Sequence, residues 1–152
     1  MISVLITASD DPRPLARLLT ALVRAAAEGL VREAAVIGAA GPSRTIADDA
    51  GAGLYDDFTS ALATAKGPWL TGLPLGLDLA SGWMEVLAAH LAREPAEPAR
   101  LIAGGGALGF GGGPEGWLLP KALAPSADAV EQDLQRLARR GRRLRILDRR
   151  RG

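Results

Sequence analysis

Residues 69–83 read WLTGLPLGLDLASGW, and the fold prediction starts from this stretch. The run Trp69–Leu73 is short and mostly apolar, which is typical of a buried strand. Gly82 then opens an amphipathic stretch whose apolar residues fall on one helical face: Val86, Leu87 and Leu91. The turn at 74–77 is Pro-Leu-Gly-Leu, so the first acidic residue after the predicted strand is Asp78.

The residues before this stretch alternate between predicted strands and helices. The β-branched run Ile2–Thr7 predicts a first strand, and Asp10-Asp11-Pro12 has the carboxylate cap and early proline of a helix start. Apolar residues then recur at helical spacing up to Gly29. Four more elements follow: strands at Glu33–Ile37 and Gly53–Tyr55, a helix from about Arg44 to Ala50, and a helix from its cap at Asp57 to Ala65. This alternation predicts parallel βαβ units, whose binding sites lie at the carboxyl ends of the strands.

The second half of the chain has a different organisation. Residues 93–98 form a polar connector, and residues 101–113 are rich in glycine (GGGALGFGGG). A phosphate-binding loop would need a Gly-Lys-Ser/Thr ending, which this stretch lacks. We therefore predict turns around a short hairpin here. Gly116–Pro120 predicts a strand, Ala127–Arg140 a helix and Leu144–Leu147 a last strand.

Composition excludes several classes of function. The 152 residues contain no cysteine and one histidine, so disulfides, thiolate metal sites and multi-histidine metal centres are excluded within one chain. No apolar run is long enough to cross a bilayer. We expect His90 at the surface or an edge, and the three tryptophans in the core: Trp69, Trp83 and Trp117.

The net charge of +1 conceals a basic C-terminal end. From Arg136 onward there are nine Arg and one Asp, a local charge of +8, so the remaining residues carry −7. The segment Arg136–Arg151 is a candidate surface for a protein partner or an anionic membrane. It lacks aromatic residues for stacking on bases, so no specific nucleic-acid partner is predicted. The alternative is an ordinary solvated helix and edge strand.

Five segments, taken in order, resemble the inverting family-two glycosyltransferases, and in particular a compact bacterial branch. MISVLITASDD resembles the opening strand of that family, and LVREAAVIGAAGPSRTIADDAGA the second strand with its nucleotide loop. AKGPWLTGLPLGLDLASGW resembles the metal-binding segment, and GPEGWLLPKAL the acceptor-side segment. AVEQDLQRLARRGRRLRIL resembles the terminal helix that bears the Glu-Asp base motif. The resemblance implies a GT-A-like (Rossmann-like) α/β/α sandwich with a mostly parallel sheet, trimmed in length.

The functional positions of the family are replaced in this chain. They fall on Gly38 for the nucleobase acid, Pro74-Leu75-Gly76 for the metal motif, Pro114-Glu115 for the acceptor-side acid, and Val130-Glu131 or Glu131-Gln132 for the base motif. We therefore expect no metal site and no cofactor. If the protein is active, the resemblance implies Mg²⁺ or Mn²⁺ with a nucleotide-sugar donor.

Glu131 is the candidate catalytic base, since an inverting transfer needs a carboxylate near the acceptor hydroxyl. The alternative is that Glu131 and Asp133 are solvated helix residues that face Arg136 and Arg140. The resemblance also implies a vestigial nucleotide-sugar cleft, whose candidate residues are Ser9, Asp10, Gly38 and Asp78. Helix capping is the alternative explanation for Asp10 and Asp11.

These observations predict a single domain over 1–152, with a nucleotide-binding-like half (1–93) and an acceptor-like half (99–152). The leading hypothesis is a catalytically degenerate glycosyltransferase-like protein that binds a ligand or a partner. One alternative is an active, divergent transferase, and another is an interaction module that docks through its Arg-rich end. We expect a cytoplasmic location, with a membrane-peripheral one as the alternative, and a homodimer that covers an exposed sheet edge.

Overall fold

The computed structural model describes residues 1–103, 114–126 and 128–149. The glycine-rich stretch GGGALGFGGG and the terminal Arg150 and Arg151 lie outside the described residues. The elements in chain order are β1 (Ile2–Thr7), α1 (Pro12–Ala27), β2 (Val31–Ile37), α2 (Gly41–Asp49), β3 (Gly53–Tyr55), α3 (Phe58–Thr64), β4 (Trp69–Gly72), β5 (Leu77–Leu79), α4 (Trp83–Leu91), β6 (Ala99–Ala103), β7 (Gly116–Pro120), α5 (Glu131–Ala138) and β8 (Arg142–Arg149).

The eight strands of the described residues form one sheet in the order β3-β2-β1-β4-β7-β6-β8-β5. Strands β3, β2, β1 and β4 are parallel, as the βαβ pattern predicts. Strand β7 runs antiparallel between β4 and β6, β8 returns parallel to β6, and β5 closes the sheet antiparallel to β8. The predicted α/β fold with a mostly parallel sheet is confirmed.

The first helix begins and ends where its sequence signals predict. The Asp11 carboxylate accepts a hydrogen bond from the Arg13 amide at 3.0 Å, and Pro12 is the first helical residue. Gly29 follows the helix with a φ of 83°, a left-handed conformation that favours glycine. The Asp57 carboxylate likewise caps α3 by accepting from the Ser60 amide at 2.7 Å.

The sheet has a hydrophobic core on each face, because successive strand residues point to opposite sides. Helices α1, α2 and α4 pack on one face and α3 and α5 on the other. Trp69 and Trp83 are buried in the first core and Trp117 in the second, with 8%, 9% and 1% of their surfaces exposed. The predicted core role of the three tryptophans is confirmed.

Several predicted boundaries are wrong. The last helix begins at Glu131 and ends at Ala138, so the predicted span Ala127–Arg140 is too long, and residue 127 is outside the described part. Val130 is extended and its amide donates to the Asp133 carboxylate at 3.2 Å, which sets the helix start. Helix α2 starts at Gly41 instead of Arg44, and β8 extends beyond the predicted Leu144–Leu147. The chain pattern did not predict β5 and β6.

The surface position predicted for His90 is also wrong. Its side chain is buried, with 2% of its surface exposed, and its ring meets the edge of Trp69 at a centroid distance of 5.9 Å. Nε2 lies 2.7 Å from the carbonyl oxygen of Glu97, so the Nε2–H tautomer donates to the connector that leads into β6. His90 therefore joins α4 to this connector.

No helix in the described residues is long and apolar enough to cross a membrane.

Candidate functional site

Strand register brings five residues into one row across the sheet: Leu5, Gly72, Trp117, Arg100 and Arg143. Each lies opposite the next on neighbouring strands β1, β4, β7, β6 and β8. Leu5 and Trp117 belong to the core beneath α3 and α5, so the row lies on that face. The row therefore changes from apolar to basic as it crosses the sheet.

The indole of Trp117 lies over Gly72. A Cβ added to Gly72 would overlap the indole nitrogen Nε1, so the tryptophan can occupy this position only because Gly72 lacks a side chain. Trp117 also meets Phe58 edge-on at a centroid distance of 6.4 Å, and its carbonyl accepts from the Thr71 hydroxyl at 2.7 Å. These contacts fix Trp117 as a rigid wall of the site.

Beside Trp117 is a cleft of about 380 Å³ at the carboxyl ends of β1 and β4. Its apolar side is the turn after β4, including Leu73, Pro74 and Leu75. Its polar side comes from the face of α5 and from β6 and the residues that precede β7: Arg100, Glu115, Glu131, Gln135 and Arg139. The cleft therefore lies where parallel sheets usually hold their ligands.

The Glu131 carboxylate is oriented within this cleft. Its Oε1 accepts a hydrogen bond from Trp117 Nε1 at 3.1 Å, and Glu131 is the first residue of α5, where the helix dipole favours a negative charge. The alternative position facing Arg136 and Arg140 is therefore wrong for Glu131. It describes Asp133 better, whose Oδ1 lies 4.0 Å from Arg136 Nη1. A role for Glu131 as a catalytic base stays a prediction.

A bidentate ion pair also lines the cleft. Arg100 Nε and Nη2 donate to the Glu115 carboxylate oxygens at 2.8 and 2.9 Å, and the side chains are 22% and 28% exposed. The hydrogen bonds from Arg100 lower the pKa of Glu115, against the opposing effect of burial, and the positive charges of Arg100, Arg139 and Arg143 lower it further. The same hydrogen bonds raise the pKa of Arg100.

This ion pair predicts a specific dependence of stability on pH. Because the pKa of Glu115 is lower in the folded state, the unfolded state takes up a proton first as the pH falls. The stabilisation is complete above the ordinary glutamate pKa of about 4.3 and is lost as the pH falls through the lower folded value. We expect Arg100→Gln to flatten this part of the profile, as measured by urea unfolding between about pH 3 and pH 7.

Asp57 provides the internal reference for that experiment. Its pKa is also lowered, by the hydrogen bond from the Ser60 amide, and it is unchanged in the Arg100→Gln variant. Any slope due to Asp57 is therefore common to both proteins. Equal slopes in the two proteins would contradict a contribution from Glu115.

The residues at the position where the resemblance implies a metal motif do not fit a divalent cation. Mg²⁺ and Mn²⁺ prefer carboxylate, carbonyl and water oxygens, whereas the corresponding side chains are Pro74, Leu75 and Gly76. In the three described ranges, no three His, Cys, Asp or Glu side chains come together in a way that could hold a metal ion.

The other predicted site residues lie at the ends of β1 and β2 or on β5. The Ser9 carbonyl accepts from the Ser43 hydroxyl at 3.2 Å, beside the exposed Asp10. The Gly38 amide donates to the Tyr55 carbonyl at 2.9 Å. On β5, the Asp78 carboxylate lies 3.8 Å from Arg17 Nη1 of α1. The cleft beside Trp117 includes Glu131 in its lining and none of these four candidates, whose nucleotide-sugar role stays a prediction.

Sequence reasoning missed Arg100, Gln135 and Arg139 as site residues. Arg100 belongs to a strand that was not predicted, so its position opposite Trp117 depends on register with β7. Gln135 and Arg139 follow Glu131 by four and eight residues, which places all three on one side of α5. That helical spacing was the available signal.

No protein-family profile matches this chain, and no curated protein matches it. Several solved structures match the fold of this chain. Glucosyl-3-phosphoglycerate synthase from Mycobacterium tuberculosis in complex with Mn²⁺ and UDP-glucose aligns with a TM-score of 0.66 and 16% identity, covering 100% of this chain and 72% of that one. The same enzyme with Mn²⁺, UDP and glucosyl-3-phosphoglycerate aligns with a TM-score of 0.65 and 17% identity, with coverage of 100% and 72%.

Identity at this level establishes likeness of fold, whereas function must be argued from the site. The sheet and helices of the described residues agree with that likeness. The chain therefore has a GT-A-like α/β fold, similar to that of these two synthase structures.

Proposed function

We propose that this chain is a glycosyltransferase-like domain that binds a small, hydroxylated and anionic ligand in the cleft beside Trp117, and that it does not perform metal-dependent glycosyl transfer. The observation that carries the proposal is the distribution of polar groups around the cleft. The turn after β4 is apolar, whereas the polar and charged side chains gather along α5 and beside β6.

The apolar turn is the argument against metal-dependent transfer. A departing nucleoside diphosphate develops negative charge in the transition state, and offsetting that charge is usually the largest single contribution to catalysis. Leu73, Pro74 and Leu75 offer neither a carboxylate to hold a cation nor a positive side chain to replace one. A transferase of the usual kind therefore lacks its main electrostatic support at this position.

The polar side is the argument for a ligand. A volume of about 380 Å³ lies within the usual range of small-molecule sites. Glu131 and Gln135 offer carboxylate and amide groups for hydroxyls, and Arg139 offers a guanidinium for an anionic group. Trp117 holds Glu131 in place, so the first of these groups is already oriented.

A thermal-shift screen against UDP-, GDP-, CMP- and dTDP-linked sugars, with and without Mn²⁺, tests the negative part of this proposal. We expect no Mn²⁺-dependent rise in Tm for any donor, because no three acidic or histidine side chains of the described residues come together as ligands for the ion. A metal-dependent rise of several degrees, together with release of free nucleotide, would overturn it.

An active, divergent transferase is the second candidate, and the orientation of Glu131 favours it. If Glu131 is a base, Glu131→Gln should reduce turnover of a nucleotide sugar by about 10²–10⁴-fold. The glutamine keeps an acceptor for Trp117 Nε1, so the fold is preserved. Asp133→Asn, on the same helix and outside the cleft, is the matched control. Absence of turnover in the wild type excludes this candidate.

The remaining expectations stay proposals. We propose that the Arg-rich end, Arg136–Arg151, is a surface for a protein partner or an anionic membrane, that residues 1–93 and 99–152 act as nucleotide-side and acceptor-side halves, and that the protein is cytoplasmic. The edge strands β3 and β5 are three residues each. Edges this short offer little backbone for pairing, so the proposed homodimer would need another surface.

A further inference from the structure

Two arginines line the cleft, Arg100 and Arg139, and Arg143 lies beside it on the neighbouring strand. Arg100 is held by Glu115 and lies opposite Arg143 on the neighbouring strand. Arg139 lines the cleft together with both members of that ion pair. Glu115 is thus bonded to Arg100, and the positive charges of Arg139 and Arg143 act on the same carboxylate.

The direction of the Arg143 side chain follows from the alternation of side chains between the two faces of the sheet along β8. Leu144 and Ile146 are buried in the core with α4, so Arg143 and Arg145 point to the opposite face of the sheet. That is the face on which α5 packs over β7 and β6. Arg143 and Arg139 are both exposed, so their guanidinium groups are accessible to a ligand.

The two cleft residues at the ends of α5 carry opposite charges. Glu131 is the first residue of the helix and Arg139 follows its last residue, so a rise of about 12 Å separates them. The carboxylate of Glu131 is bonded to Trp117 at the start of α5, and Glu115 pairs with Arg100. In the ranges that the structure describes, neither Arg139 nor Arg143 lies within ion-pair distance of a carboxylate.

We propose that Arg139 and Arg143, with Arg100 held in place by Glu115, form a subsite for the phosphate monoester group of a small ligand. This inference rests on the proposed ligand-binding function and names the chemical class of that ligand. A phosphate monoester carries close to two negative charges, and arginine forks bind its oxygens with good geometry. The hydroxyl-bearing remainder of the ligand then lies towards Gln135 and Glu131.

Titration of the folded protein with glycerol phosphate, a soluble phosphate monoester with hydroxyl groups, tests the subsite. Arg139→Gln and Arg143→Gln should each weaken binding by about tenfold, since each removes a charge-assisted hydrogen bond. Arg136→Gln is the matched control: it lies on the same helix, pairs with Asp133 and does not line the cleft. Calorimetry at constant ionic strength gives Kd for each variant, and glycerol serves as the uncharged probe.

Three outcomes would overturn the subsite. They are the absence of binding at millimolar glycerol phosphate, equal loss in Arg136→Gln and Arg139→Gln, and binding only to vesicles that contain an anionic phospholipid. The last result would indicate a membrane surface in place of a soluble ligand.

The Trp117 indole N–H separates failure of the subsite from failure of the proposed function. Its NMR signal reports on the cleft because the indole donates to Glu131. A neutral polyol that shifts this signal, while glycerol phosphate binds no tighter, overturns the subsite and keeps the ligand cleft. Arginine-dependent phosphate binding with no change at Trp117 overturns the cleft function instead.

Discussion

Replacing Trp117 by alanine will lower the free energy of unfolding by about 3–5 kcal/mol, the range for loss of a large buried aromatic side chain. The side chain is 1% exposed and fills the space above Gly72, which has no side chain of its own. The substitution therefore leaves a cavity that the glycine backbone cannot fill. Urea unfolding followed by far-UV circular dichroism measures the change.

The same substitution should also disturb the cleft, because Glu131 loses the indole that orients it. Trp83→Ala is the matched control, since Trp83 is a buried tryptophan in the core on the other face of the sheet. Both variants lose stability, but only Trp117→Ala should weaken binding of a cleft ligand. A loss of less than about 1 kcal/mol in Trp117→Ala would contradict the rigid wall described above.

Substitution of Gly141 by alanine will lower Tm, because the new Cβ would overlap the carbonyl group of Pro98. The obstacle is backbone at the start of β6, which cannot turn aside as a side chain can, so β8 must shift against β6. The overpacking should cost about 1–3 kcal/mol, which corresponds to about 2–4 °C of Tm per kcal/mol for a domain of this size. Thermal unfolding measures the shift.

Gly53→Ala is the control for that substitution. The atoms nearest to its Cβ belong to the ring of Tyr55, a side chain that is partly exposed and able to move. We expect a smaller loss of Tm for Gly53→Ala than for Gly141→Ala. A reversed order would contradict the close approach of Gly141 to the Pro98 backbone.

Local signals along the chain were sufficient for much of the fold. The caps Asp11 and Asp57, Gly29 after the first helix and the apolar run at Trp69 were each interpreted from neighbouring residues, and each lies where predicted. These features depend on hydrogen bonds and periodicities that span a few residues. The parallel arrangement followed from their alternation, and the resemblance to glycosyltransferases led to the same fold.

Other features depend on residues far apart in the chain. Strand β5 forms because residues 77–79 pair with 147–149, and His90 is buried because α4 carries it onto Trp69 and the connector at Glu97. A lone histidine on a helix carries no local signal of that environment. The sequence therefore contained no signal that could have corrected the surface position predicted for His90.

The candidate site shows the same division. The sequence by itself identified Glu131 as a candidate and showed that the turn at Pro74 has no acid, because residue type at a given position is a local property. Only the tertiary structure decided that Glu131 faces Trp117 and that Arg100 lies between Trp117 and Arg143. The physical reason is strand register: a shift of one residue moves every side chain of a strand to the other face, and register is set by pairing across the whole sheet.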